Sequence, residues 1–550
     1  MRYLIFFIIL SFVTYGQKID FEQMKLGKRT DNYRAWVYLK DKNGSNPVYI
    51  SEKAIERRKK NGVSINEFWH DLSVSEFYID QISSIGLIIK NHSRWLNAVS
   101  VIGSKSDLVR ITKFSFVDRI EPVIGYKRKP LIKYNDIDPN SRDFDYGNAY
   151  EQIEQINVHL LHEQGYTGQG VRILLLDTGF NLEHNALNNI NVIAQWDVIN
   201  NDFQTANETE EEENIGQDHH GTAVLSTIAA NAPGEFIGVA FQSEFLLAKT
   251  EDVSQEIQQE EDNYVAALEW GEANGADVVS TSLGYLDWYV YSDLDGNTAT
   301  TTIGVDIAVG LGMVCVTAAG NSGDDEWYYI IAPADADSVI AVGAVRDNNE
   351  IAGFSSHGPT ADGRIKPEVC ARGVQTWCIS PSSTTLYTQY SGTSLACPLV
   401  GGVAALIIQA RPDWSAIKVR ESLMMTASMS DSANNNYGYG IVNASNAVNF
   451  ETLSEIDNQF YHPSTFNISK VYPNPFNPSI NIEIAIASIN YLTIDILSHN
   501  GNYINTLFKG RPNSDIVKIK WEPKNLSSGI YFVRLNYNGY KKYKKVTYLK

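Results

Sequence analysis

Apolar positions fall into three regimes along the chain. In the middle, short unbroken apolar runs at 171–176, 277–282, 313–317 and 339–345 read as strands. Helical patterns at 264–274 and 303–311, and two more after His220 and Ser394, lie between and around them. Strands that are apolar on both faces belong to a parallel sheet covered by helices on both sides, so this region predicts an α/β domain over 151–450. After it, Ile480-Asn-Ile-Glu-Ile-Ala-Ile486 alternates with period two. Further short strands are expected at 492–497, 517–521, 530–535 and 545–549, with Asn500-Gly501 as a turn, which suits a β-sandwich over 465–550. Before it, strands at 35–39, 87–89, 96–102 and 116–123 and helices at 74–85 and 107–113 give the β-α-β-β-α-β order of a small α+β domain over 17–127. A basic helix over 52–60 is additional to that order.

Polar segments without periodicity separate the three, at 128–150 and 451–464. The first is the kind of segment where proteolytic nicking concentrates. Residues 1–16 have a charged start, the apolar run Leu4-Ile-Phe-Phe-Ile-Ile-Leu10 and small residues at Thr14 and Gly16, as a secretory signal cleaved before Gln17 would. A membrane anchor is the other reading of that run, which is short for a span. The chain carries 64 acidic and 45 basic residues, a formal charge of −19. A surface this acidic repels nucleic acid and other copies of itself, so a monomer that binds no nucleic acid is expected. Four cysteines are too few for a disulfide framework, although Cys370 and Cys378 could pair after export.

The candidate chemistry centres on Ser391-Gly-Thr-Ser394-Leu-Ala-Cys-Pro398, which opens an apolar helix and puts Ser394 and Pro398 in its first turn. A serine there meets free backbone donors and the positive end of the helix dipole. Taken alone, the segment reads equally well as a turn capping a core helix. Two other stretches carry matching polar groups: Asp177-Thr-Gly179 follows a strand, and Asp218-His-His220-Gly-Thr222 precedes a helix. Ala318-Ala-Gly-Asn321 falls between His220 and Ser394. DTG, HGT, AAGN and GTSxAxP, with acid, base and nucleophile in the order Asp, His, Ser, resemble the subtilisin-like serine proteases.

That resemblance implies a secreted endopeptidase acting on protein or peptide substrates, with no cofactor required for the chemistry. Ser394 would be the nucleophile, His220 the base and Asp177 its orienting carboxylate, while Asn321 and the Ser394 backbone N–H would stabilise the oxyanion. His219 competes for the role of base, and His220 is preferred because it directly precedes Gly-Thr. Where relatives often have a second histidine after HGT this chain has Ala223, which is outside the triad. Ser282, Leu283 and Gly284, with Ala318, Ala319 and Gly320, would line the substrate cleft. Structural calcium is also implied, but no spaced ligand loop places it, and the acidic run at 208–213 reads as a solvated loop.

Residues 17–127 resemble the inhibitory propeptide of such enzymes, a permanent accessory domain being the alternative. The Tyr472-Pro-Asn-Pro-Phe476 entry, the Ser527-Ser-Gly-Ile-Tyr-Phe-Val-Arg-Leu535 segment and the basic end at 541–550 resemble the C-terminal sorting domain of the type IX secretion system. A generic binding or stalk domain is the alternative there. The sorting resemblance implies passage through the periplasm to the medium or cell surface, with the secretion machinery as a partner. An exported binding or adhesion protein on an inactive protease scaffold is the rival function, and an intact set of all four catalytic residues speaks against it.

Overall fold

The structure is a computed structural model. It describes residues 19–450 apart from 22, 30–31, 64–68, 124, 127–131, 134–145, 255, 258 and 287. From 466 to 550 it describes all but 473, 475, 487–491, 499–502, 513–515, 525, 528, 538–539 and 549. The expected signal at 1–16, most of the 128–150 segment, the 451–464 segment and the Asn500-Gly501 turn lie outside the described residues. The chain divides into two compact units, Met1–Phe450 and Glu451–Lys550.

The first unit is built on a seven-stranded sheet in the order Val369–Arg372, Ile340–Val345, Val314–Ala318, Val278–Thr281, Arg172–Asp177, Glu244–Lys249, Asn191–Asp197. All its pairings are parallel. Helices cover both faces, as the register shows. Gly271 of the Gln259–Ala273 helix abuts Leu174, and Gly401 of the Thr393–Ala410 helix abuts Ser280. Leu174 is level with Val279, and Ser280 with Leu175, so Leu174 and Ser280 point to opposite faces. The Thr393–Ala410 helix is long and apolar enough to cross a membrane, but here its apolar surface is buried within the fold.

Three strands of this sheet have no counterpart in the apolar pattern. Asn191–Asp197 is a mixed edge strand, Glu244–Lys249 reads EFLLAK with good helix formers, and Val369–Arg372 is only four residues long. The acidic run is a helix rather than a loop, at Glu210–Ile215. Thr209 and Glu212 form a capping box, and the acidic first turn complements the helix dipole. The Thr-x-x-Glu spacing was the signal for it.

Ahead of the parallel sheet, an antiparallel sheet of Lys28–Arg29, Asn32–Leu39, Ala98–Gly103, Ile88–Ser93 and Val117–Pro122 carries helices Glu76–Ser84 and Lys105–Ile111. Val37, Tyr78, Ile82, Val99, Val101, Leu108 and Ile120 form its core. The second helix starts earlier than its apolar pattern, because Ser104 and Asp107 make a capping box. Strand Ile88–Ser93 outruns its apolar start because its polar end rests on the Gln259–Ala273 helix. There Asn91 Nδ2 donates to Asn263 Oδ1 at 2.8 Å, and Ser93 Oγ and the Trp95 N–H donate to Glu269 Oε1 at 2.6 and 3.0 Å.

The basic helix Glu52–Lys60 docks one turn further along the same partner. Arg57 pairs with Glu272, and Arg58 grips Glu272 from Nε and Nη2, both at 2.9 Å. Arg58 also takes both oxygens of Asp71, at 2.6 and 2.8 Å. The Arg57, Arg58 and Glu272 side chains are at most 3 % exposed.

The second unit is a sandwich. One sheet is Phe466–Tyr472, Ile480–Ile486 and Ile516–Trp521; the other is Tyr503–Gly510, Leu492–Ser498, Gly529–Tyr537 and Tyr540–Tyr548. Alternate residues Ile480, Ile482 and Ile484 face Ile494, Ile496, Val533 and Leu535 in one core. Strand Tyr503–Gly510 was not expected from the sequence, since it is an edge strand with no buried alternate positions.

Replacing Glu272 by Ala in the full-length chain leaves two guanidiniums buried without their shared carboxylate. The expected cost is about 3–5 kcal/mol in denaturant titration. An unchanged midpoint would show that this network contributes nothing to the docking.

Candidate active site

The ends of adjacent parallel strands converge on one region, as expected at the carboxyl edge of such a sheet. Asp177 ends Arg172–Asp177, Ser282 follows Val278–Thr281, and Asn321 follows Val314–Ala318. Two helix starts face them: His220 is second in His219–Ala229, and Ser394 second in Thr393–Ala410.

Asp177 is fully buried, and its Oδ1 lies 2.5 Å from His220 Nδ1 while accepting from the Thr178 N–H at 2.7 Å. The close approach of strand end and helix start requires a glycine after the histidine. A Cβ at Gly221 would sit 2.2 Å from the Gly179 carbonyl oxygen and 2.9 Å from the Asp177 Cβ. The His219 ring lies elsewhere, beside Gly216. The two histidines diverge as neighbours on a helix do.

Ser394 is 4 % exposed, and its Oγ donates to the Ser282 carbonyl at 3.2 Å. Pro398 is not in the first turn, as the sequence suggested, but is the sixth residue of the helix. It therefore cannot donate to the carbonyl of Ser394, four residues earlier. Ser282 Oγ donates to that carbonyl instead, at 2.7 Å. Ser282 is thus more than a cleft residue, because both its hydroxyl and its carbonyl engage Ser394.

Asn321 is anchored by a residue that sequence reasoning passed over. Its Oδ1 accepts from the Thr393 N–H at 2.8 Å and from Thr393 Oγ1 at 3.0 Å. Because an N–H can only donate, this fixes which end of the amide is oxygen and turns the NH₂ away from Thr393, on an exposed side chain. Thr393 stands inside the Gly-Thr-Ser word, which was the available signal. Of the expected cleft residues, Ser282, Leu283, Ala318, Ala319 and Gly320 are buried and Gly284 is half-buried, on neighbouring strand ends. Chain segments leaving the amino-terminal domain add to short strands of the region that follows. Gly125–Tyr126 pairs antiparallel with Glu256–Ile257, and Ile132–Lys133 with the Tyr387–Ser391 strand that leads to Ser394.

Among the described residues one acidic cluster could hold a cation: carboxylate oxygens of Asp197, Asp202 and Glu208 lie within 4.8 Å of one another. Asp197 is already engaged. It accepts from the Ile199 and Asn200 N–H groups at 2.8 and 2.9 Å and from Asn200 Nδ2 at 3.0 Å, and it pairs with Lys249 Nζ at 2.9 Å. Calcium, which needs six to eight oxygens, would have to compete with that ammonium, so the residues fit it poorly. All four cysteines are buried thiols, and burial pushes Cys370 and Cys397 up to about 12. Cys370 and Cys378 do not pair.

Comparison with known proteins gives this geometry a lineage. Residues 168–440 match the subtilase family. Subtilisin E of Bacillus subtilis (strain 168) is 34 % identical over 320 residues, covering 58 % of this chain and 75 % of the relative. The subtilisin of Bacillus pumilus is 36 % identical over 294 residues, covering 53 % and 95 %. The chain belongs to the subtilase family. Like its relatives it is a serine-type endopeptidase with a subtilisin-like fold. Residues 34–137 match the peptidase S8 propeptide domain of Bacteroidota, and 470–548 the secretion system C-terminal sorting domain. This subtilase is therefore made with a propeptide domain and is exported by type IX secretion to the medium or cell surface.

The role of Ser282 beneath Ser394 predicts a specific coupling. Ser282→Ala leaves a buried carbonyl unsatisfied and should cost about 1–3 kcal/mol. In a Pro398→Ala background the helix regains its own N–H donor, and the same substitution should cost much less. Denaturant titrations of the four proteins in the cycle decide it; strictly additive costs would reject the coupling.

Proposed function

We propose that this subtilase cleaves peptide bonds through an acyl-enzyme on Ser394, with Asp177, His220 and Asn321 as its partners. The contact of His220 Nδ1 with Asp177 Oδ1, at 2.5 Å, carries the reading. It supports a proton on Nδ1, facing the carboxylate, with Nε2 as the base. Ser394 Oγ, which rests on the Ser282 carbonyl, turns to give His220 its proton as it attacks the scissile carbonyl. The negative charge that forms on the carbonyl oxygen is met by the Ser394 N–H, which has no acceptor within its helix, and by the Asn321 amide. His220 then protonates the leaving amine, and water repeats the sequence to release the acid. Chemistry of this kind needs no cofactor. Strand addition along the cleft uses backbone groups and so tolerates many sequences. The pairings of 125–126 and 132–133 use the same mode, which supports the 17–127 domain as inhibitor and 128–150 as the processed segment. Residues 465–550 would act as the address for export, behind a 451–464 linker.

The test is a fluorophosphonate probe on processed protein alongside Ser394→Ala. Label and peptide hydrolysis should both vanish in the variant, which should also keep residues 17–127 attached. Normal processing of purified Ser394→Ala precursor would assign maturation to another protease.

His220→Ala should be nearly inactive, whereas His219→Ala, whose ring lies beside Gly216, should keep most of its kcat/KM. The reverse ranking would move the base.

Asn321→Ala should lower kcat on the order of 10²–10³-fold, about 2.7–4 kcal/mol, the size associated with loss of this oxyanion donor in the family. KM should hardly change, because the amide acts in the transition state. A folded variant with near-normal kcat would remove Asn321 from the mechanism.

A further inference from the structure

The two proposed cleft walls, 282–284 and 318–320, are continuations of adjacent parallel strands, Val278–Thr281 and Val314–Ala318. One wall begins at Ser282, whose carbonyl holds Ser394 Oγ, and the other ends at Gly320, beside Asn321. In the proposed arrangement the scissile carbonyl lies between Ser394 and Asn321, so the gap between the two walls that flank those residues would receive the side chain of the residue before the cleaved bond. Each wall has a glycine there, which would leave the gap open.

A third segment closes it. A Cβ at Gly284 would meet Ile331 Cδ1 at 2.4 Å and Cγ1 at 2.7 Å, and a Cβ at Gly320 would meet the same two atoms at 3.2 and 3.1 Å. The Ile331 side chain therefore lies against both glycines at once. The Ile331 N–H donates to the Ala319 carbonyl of one wall at 3.2 Å, and the next residue, Ala332, exchanges hydrogen bonds of 2.8 and 3.1 Å with Tyr285, just past the other. A β-branched side chain is stiff at χ1, so it cannot swing aside cheaply. Ile330 and Ala332, both fully buried, lock the segment on either side of it.

We infer that Ile331 fills the primary specificity pocket, so that this subtilase cuts after small residues such as alanine and excludes large aromatic ones. The inference rests on the proposed roles of Ser394 and of the two walls, and it adds the substrate class. Ile331 selects by occupying space and has no part in bond breaking.

The test uses processed enzyme and peptide anilides that differ only in the residue before the cleaved bond: Ala, Leu, Phe or Lys. The wild type should prefer Ala to Phe by tenfold or more in kcat/KM. Ile331→Gly should open the gap and shift the Phe-to-Ala ratio toward Phe by about 10–200-fold, the range that hydrophobic pocket changes supply. Ile331→Ala should shift it less and guards against a misfolded glycine variant, with fluorophosphonate labelling as the check on folding. A wild type that cuts after Phe or Leu as well as after Ala would overturn the inference and leave the catalytic reading intact. A wild type that neither cuts any of the four nor labels would sink the catalytic reading, and the inference with it. An unchanged ratio in both active variants would mean that the gap does not hold this side chain.

Discussion

A proline four residues after Ser394 deprives a buried carbonyl of its helical donor, and the hydroxyl of Ser282 replaces it at 2.7 Å. Much of the site depends on that substitution. It joins the start of the Thr393–Ala410 helix to the end of one strand, while Thr393 joins it to the next through Asn321. The position of Ser394, the proposed nucleophile, is set by two loops that are themselves fixed by the sheet register. A regular helix start would satisfy its carbonyls internally and need no such tie. Groups that must hold a reacting geometry are better placed on rigid elements than on loops. This site gains rigidity by making strand ends and helix start depend on one another.

Electrostatics does different work at the joint between the amino-terminal domain and the catalytic sheet. Glu269 and Glu272, one turn apart on the Gln259–Ala273 helix, receive the turn at 93–95 and the basic helix Glu52–Lys60. Burial pushes the Glu269 carboxyl up, with the Arg94 charge and hydrogen bonds from Ser93, Arg94 and Trp95 opposing it. A buried ion pair is costly to break in place, but both partners recover their solvation once they are fully separated. An inhibitory domain benefits from that difference. It is held in one register while docked by pairs that regain solvation when the two surfaces part, alongside apolar contacts such as that of Trp95 with the catalytic core. The net charge of −19 over the whole chain adds repulsion between copies without opposing this basic contact.

The sequence carried the parallel sheet because its central strands are buried on both faces and contain little else than apolar residues. It singled out Asp177, His220, Ser394 and Asn321 through short words, in one of which a neighbour is sterically required, as Gly221 shows. What it did not show has a common cause. The edge strands Asn191–Asp197 and Tyr503–Gly510 are specified by their partners in the sheet rather than by their own periodicity. Glu210–Ile215 was hidden because its stability comes from caps and dipole, with no apolar face to read. The place of Pro398 could not be fixed without the helix start, which lies five residues earlier than the proline. The tie from Thr393 to Asn321 spans 72 residues and has no local signature.

Strand addition and a filled pocket divide the recognition of substrate between them. Backbone pairing along a cleft edge supplies affinity that is indifferent to side chains, and so cannot choose a cleavage point. Choice then falls to the residue whose carbonyl reaches Ser394. Two wall glycines would by themselves admit almost anything there. On the proposed reading Ile331 removes that freedom from a third segment, tied to Ala319 on one wall and, through Ala332, to Tyr285 beyond the other. Because the selecting group is outside the triad and the oxyanion donor, its size can change without moving either. Selectivity by volume is limited to the 10–200-fold range of a hydrophobic pocket, against the far larger factors that paired polar groups achieve. An exported protease with the proposed pocket would be suited by that limit, because it would cut after any small residue at sites that strand addition has already drawn straight.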